Sequence, residues 1–305
     1  MKESFCEISS DQYPRVSDVE DVFSTCIANC VFNSFLSYTA ITLNVVTIHA
    51  IKNTSSLPKT LKTLLLSLVV SDLGVGLFIQ PFYTSLLIKW LQQSNPSCNT
   101  YKAFHIISYS FSLASFFGVV ALSVDRFLAI HLHLRYQELV THKRVVAAVI
   151  LIWLLSAFLS LTVFWIPLDI FSYIMAILAV LGAILVTMAY VRIYLVVRQH
   201  KNCIQVLQVA QADNVANFAS LIKSSVGMFY VYFVFLVCYM PFLIFLVATK
   251  MNGPNIVLKR YAIFSLTLVF LNSSLNPVIY CWKMRHIRLA VINILRNMSW
   301  QRSRA

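Results

Sequence analysis

Asp72 is an acid in the middle of a long apolar run, at the end of Leu68-Val-Val-Ser-Asp72. A charged side chain at the centre of a bilayer costs at least about 2.5–3.5 kcal/mol on insertion scales, so each one asks for a reason. Other polar residues stand in similar runs: Asn44, Ser115, and the group Asn272, Ser273 and Asn276. Two chemistries suit this set. One is interhelical hydrogen bonding, worth about 0.6 kcal/mol per contact. The other is a shared pocket around Asp72 and Ser115 that holds a sodium ion, a hard cation that takes oxygen ligands. Spacing alone leaves both open. The seven cysteines (Cys6, Cys26, Cys30, Cys98, Cys203, Cys238 and Cys281) form no CxxC pair and no Cys/His ligand spacing. That pattern argues against a transition-metal site.

The elements that position these residues are membrane spans. A spanning helix needs about 20 mostly apolar residues, and seven such runs occur, at 27–50, 61–88, 103–131, 145–166, 170–197, 222–248 and 261–281. Each is expected to be helical, because lipid offers no partner to unpaired backbone groups. Residues 1–26 then form an N-terminal segment, 27–281 the seven-helix domain, and 282–305 a surface helix and tail. In that last stretch Met284, Ile287, Leu289, Val291, Ile292 and Leu295 alternate with Lys283, Arg285, Arg288 and Arg296. Such a helix lies flat on the membrane surface.

Composition agrees. The 305 residues are 59% hydrophobic and 11% charged, with a mean hydropathy of +0.76. A soluble domain of this size needs far more polar surface. The net charge of +13 is not a nucleic-acid signature, because the basic residues sit in short clusters between apolar runs. They follow the positive-inside rule instead. With the N-terminus outside, seven of the 24 Lys and Arg residues face out and the other seventeen face in. The first 25 residues are acidic and lack the apolar core of a cleavable signal peptide. The first span is therefore expected to act as the targeting signal.

Along the spans the chain resembles rhodopsin-like (class A) G-protein-coupled receptors. Asn44 matches the first-helix Asn of that family and Asp72 the second-helix Asp in Leu-x-x-x-Asp. Asp125-Arg126-Phe127 is similar to Asp-Arg-Tyr, Trp153 to the fourth-helix Trp and Tyr190 to the fifth-helix Tyr. Phe235 with Cys238-Tyr239-Met240-Pro241 resembles Phe-x-x-Cys-Trp-x-Pro, and Asn276-Pro277-Val278-Ile279-Tyr280 resembles Asn-Pro-x-x-Tyr. One such tripeptide is weak evidence, but seven in order on their proper spans are strong. The loop His133–Arg144 looks like that of the adenosine and melanocortin group. The short link Pro167-Leu168-Asp169 and Gly182, where most of the family has proline, resemble melanocortin receptors most.

Several family sites are replaced. Ser108 stands where aminergic receptors have Asp, and Phe270 where opsins have the Schiff-base Lys. Phe82, Tyr101 and His105 replace the acidic cluster of melanocortin receptors, and Leu246 replaces the sixth-helix Asn of adenosine receptors. Subfamily ligands do not transfer. The wall that the resemblance assigns to the ligand (Ser108, Tyr109, Ser112, Tyr239, Phe242, Leu246 and Phe270) is aromatic and apolar. It suits a small hydrophobic ligand, although aromatic residues at helical spacing also serve plain bundle packing. Cys98 stands near the usual third-helix disulfide position without a partner in the next outer loop. A bridge to Cys6 or Cys26 and a free thiol both remain open.

The resemblance implies an all-α seven-transmembrane receptor for an extracellular ligand, without bond-making chemistry of its own. Its partner is a heterotrimeric G protein, reached when the sixth helix swings about Pro241. The implied switch set is Asp125, Arg126, Phe127, Leu134, Tyr190, Phe235, Pro241, Pro277 and Tyr280. No cofactor is implied beyond the allosteric sodium. The competing classes are a transporter or channel, which usually shows internal repeats and broken helices, and a non-signalling decoy, suggested by Phe127, Tyr239 and Gly182.

Overall fold

The computed structural model describes residues 13–14, 18–132, 135–206 and 212–302. Seven of its helices are long and apolar enough to cross a membrane. They are α1 (Val19–Asn53), α2 (Lys59–Leu91), α3 (Cys98–Leu132), α4 (His142–Leu161), α5 (Leu168–Val206), α6 (Ala212–Asn252) and α7 (Ile256–Lys283). After an extended residue at Met284 comes α8 (Arg285–Arg302). No strand occurs among the described residues. The helices outrun their apolar stretches because the hydrogen-bond ladder continues into polar turns. At the start of α1, Glu20 and Asp21 lie in the first turn, where negative charge opposes the positive end of the helix dipole.

On α4 burial runs opposite to that of a soluble helix. On α4 the buried residues are Val145, Ser156 and Ser160, while Leu151, Leu154 and Phe158 face outward. Lipid solvates leucine as well as a protein core does, so close packing and hydrogen bonds decide which face turns in. Accordingly Ser160 shares a 2.7 Å hydrogen bond with Ser110 on α3. Trp153 turns its indole across the bundle and donates to Ser67 Oγ at 3.0 Å.

The second span is helical throughout, with a π-helical turn at Val75–Ile79. Pro81 has no backbone N–H and its ring crowds the carbonyl four residues back, so the ladder widens just before it. The link from α4 to α5 is a 3-10 turn at Thr162–Phe164 followed closely by Leu168. The chain has no segment there that can fold over the bundle. Gly182 also has a physical reason: a Cβ at that position would lie 2.2 Å from the Phe116 ring, so α5 yields its side chain to α3.

The end of the bundle that carries the N-terminus is tied together by charge. Lys259 Nζ donates to Asp18 Oδ2 at 2.6 Å, and Arg260 lies 3.6 Å from Asp21. These pairs join the starts of α1 and α7. Cys98 is disulfide-bonded whereas Cys26 is a free, buried thiol, so the bridge does not run to Cys26. Cys6, the other candidate, lies outside the described residues.

Candidate functional site

A cavity of about 520 Å³ opens inside the bundle towards the end that carries the N-terminus. Its size lies in the ordinary range for small-molecule sites. Ser108, Tyr109 and Ser112 reach it from α3, Tyr239, Phe242 and Leu246 from α6, and Phe270 from α7. All seven residues singled out from the sequence therefore share one space. The side formed by α5, with Met175, Ala179, Ala183 and Thr187, carried no sequence signal, since small and apolar residues there read as packing. Tyr13 also lines the cavity and is buried to 7% exposure, although the sequence reading left it in the N-terminal segment.

The floor is Tyr239. Its ring stacks on Phe235 with centroids 4.0 Å apart and planes 16° from parallel, and Ser112 lines the cavity beside it. Phe235 in turn meets Phe116 at 5.8 Å. Pro241, two residues on, sits inside α6 and removes one backbone hydrogen bond of that helix. A group pressing on Tyr239 thus pushes a helix already weakened beside it.

Below the floor lies the polar centre. Asp72 is fully buried. Asn276 Nδ2 donates to its Oδ2 at 2.8 Å and Ser115 Oγ to its Oδ1 at 3.4 Å. Asn44 Nδ2 donates to the Ser273 carbonyl at 3.0 Å, joining α1 to the cluster. Ser71, which the sequence reading missed, shares a 2.8 Å bond with Ser115. Asn272 is also buried, one helical turn from Asn276 on α7. The Oδ1 atoms of Asn44, Asn272 and Asn276 and the Tyr280 hydroxyl are buried without a protein partner. Such orphaned oxygens call for water or a hard cation. Among the described residues no group of three or more His, Cys, Asp or Glu side chains comes together.

At the opposite end of the bundle Arg126 is 2% exposed and pairs with the neighbouring Asp125. Asp125 also accepts a 2.6 Å hydrogen bond from the Tyr136 hydroxyl, contributed by a single helical turn at Tyr136–Leu139. Burial, and then the adjacent Asp125 charge, push the Tyr136 phenol up to about 12. It therefore stays protonated, and a donor, throughout the physiological range. Ser123 Oγ lies 3.4 Å from the Tyr190 hydroxyl. Phe127 stacks on His131 at 5.3 Å, and Pro277 and Tyr280 are buried on α7. Leu134 lies outside the described residues.

Known proteins share this arrangement in sequence. Residues 43–167 match the family described as 7 transmembrane receptor (rhodopsin family). The chain belongs to the rhodopsin-like, class A, family of G-protein-coupled receptors. The receptor is 26% identical over 299 residues to a histamine H2 receptor of Rattus norvegicus, covering 88% of this chain and 81% of that one. It is 25% identical over 256 residues to a histamine H2 receptor of Canis lupus familiaris, covering 76% and 69%. It is also 33% identical over 132 residues to an adenosine receptor A2b of Gallus gallus, where the match spans 43% of the receptor and 38% of its relative.

Proposed function

We propose that this receptor lies with its N-terminus outside the cell and binds a small, largely hydrophobic ligand in the cavity above Tyr239. Occupancy biases a two-state bundle in which the cytoplasmic end of α6 moves outward about Pro241. That movement exposes Arg126, Tyr190 and Tyr280 to the C-terminal helix of a G-protein α subunit. Nucleotide exchange takes place on the G protein, so the receptor makes and breaks no bond itself. The observation that carries this reading is the stack of Tyr239 on Phe235, both on α6, so the cavity floor belongs to the helix that must move. The distribution of Lys and Arg supports the orientation.

The residues around Asp72 suit a sodium ion. A carboxyl, the Ser115 hydroxyl and buried amide oxygens without partners form the oxygen-only environment that a hard cation takes. An ion held there favours the bundle that offers those oxygens and opposes the one that rearranges them.

The test is GTPγS exchange on purified Gα by the receptor in lipid nanodiscs, with a panel of amphiphiles and of polar amines and nucleosides. Faster exchange with an amphiphile, lost on Tyr239→Ala in a folded receptor, supports the reading. Activation confined to polar ligands contradicts it.

A further inference from the structure

We propose that the ligand is an amphiphile dissolved in the bilayer and that it reaches the cavity sideways, through the seam between α5 and α6. This rests on the reading of the cavity as the ligand site and adds the route to it.

The outer mouth is covered. Tyr13 stacks on Trp90 at 5.6 Å and on Tyr101 at 5.2 Å, and meets His105 edge-on at 6.0 Å. Trp90 Nε1 donates to the Tyr101 hydroxyl at 2.9 Å, which locks two members of this aromatic plate together across α2 and α3. Where the α4–α5 link is too short to form a lid, Tyr13 covers the mouth together with this plate. The Asp18–Lys259 pair fastens the chain just beyond it to α7.

The side wall is thin. Val180, Ile184 and Met188 on α5 and Met240 on α6 all line the cavity, yet they are 53%, 50%, 57% and 51% exposed. A side chain that faces both an internal cavity and the lipid is the whole thickness of the wall at that point. Two of the four are methionines, whose unbranched stems reshape readily around a passing group. The cytoplasmic lip of the seam is closed by Tyr232, whose hydroxyl lies 2.9 Å from Thr187 Oγ1 and 3.0 Å from the Ala183 carbonyl. A ligand therefore passes above Tyr232.

The lining sets the ligand's chemistry. The walls on α5 and α6 are mostly apolar and carry no charged side chain, so an ion would lose hydration there without return. The buried Ser108 Oγ lines the cavity with no protein hydrogen-bond partner. It offers one polar anchor to a molecule that is otherwise apolar.

The route is read by thiol labelling, which needs no agonist. Ser108→Cys is placed in a receptor whose Cys26, Cys30, Cys203, Cys238 and Cys281 are replaced, reconstituted in nanodiscs, and confirmed folded by its thermal transition. It is exposed to pyrene maleimide, which partitions into lipid, or to a charged trimethylammonium methanethiosulfonate in the water. We expect pyrene maleimide to react faster by about an order of magnitude, and tryptophan at Val180 and Met240 to slow it by a similar factor, as obstructed association is slowed. Tyr13→Ala should speed the charged reagent and leave the pyrene rate unchanged. If the paired tryptophans prevent folding, Ile184→Trp makes the same obstruction alone. Equal or faster labelling by the charged reagent, indifference to the seam tryptophans, or a thiol reached by neither reagent overturns the proposal. A thiol labelled from the bilayer in a receptor that no amphiphile activates would instead preserve the route and defeat the cavity's role as ligand site.

Discussion

The Tyr136 hydroxyl donates a 2.6 Å hydrogen bond to Asp125, and the same carboxylate holds Arg126. Because Tyr136 gives its proton to Asp125, the Thr60 hydroxyl 3.2 Å away acts as donor to Tyr136. A chain of bonds thus runs from α2 through the loop after α3 to the buried arginine. The loop that would meet a G protein is wired to the residue that would receive it.

Removing the first link should loosen the resting state. A hydrogen bond to a charged group is worth about 1.5–3 kcal/mol when buried, and this half-exposed one is placed near 1 kcal/mol, about a fivefold shift in a two-state equilibrium. Tyr136→Phe should therefore raise GTPγS exchange in the absence of ligand by about that factor. Basal exchange equal to that of the parent, at matched amounts of folded receptor, counts against this wiring.

Asp72 makes a second prediction. Replacing KCl by NaCl at constant ionic strength should lower basal exchange in the parent, because an ion that prefers the resting bundle must leave on activation. Asp72→Asn keeps the shape and removes the charge, and its exchange should be the same in both salts. A parent receptor that does not distinguish the two salts rules out sodium at this centre.

Arg126 is restrained by Asp125, and no acid lies between Ala216 and Pro241 to restrain it from α6. Leu221, half-buried near the start of that helix, stands where many relatives of this class carry the acid. Appreciable resting activity is expected, and Leu221→Glu should lower it several-fold, since a pair in this half-wet setting is worth up to about 1 kcal/mol. If apolar packing at Leu221 closes this face equally well, the parent will be silent and the variant no quieter.

Orientation is tested by tags. An epitope before Met1 should be stained on intact cells, and one after Ala305 only once the membrane is opened. The reverse pattern would place Tyr13 and the cavity mouth on the cytoplasmic side.

The seven helices were legible because lipid demands long apolar runs with satisfied backbones, and that demand is local in sequence. Asp72, Asn44 and Asn276 were legible for the same reason, as polar residues where none is cheap. Tyr13 was not, because its burial depends on Trp90, Tyr101 and His105, which only the fold brings near it. The α5 side of the cavity was silent because Ala179 and Ala183 look alike whether they face a helix or a ligand. Tyr136 was hidden in a polar loop where an aromatic hydroxyl needs no explanation until Asp125 is found beside it. The π-helical turn before Pro81 had a cause in the sequence, but proline also permits a simple kink, and the choice between them is made by packing.

When the receptor couples, the cytoplasmic end of α6 is expected to swing away from the bundle. Spin labels at Lys59 on α2 and Val226 on α6, both exposed, report it directly by double electron–electron resonance in a background free of other reactive thiols. A short-distance population is expected in sodium without partner, and a distinctly longer one when nucleotide-free G protein is bound, reversed by GTPγS. A single unchanged distance while the same sample accelerates nucleotide exchange would contradict it.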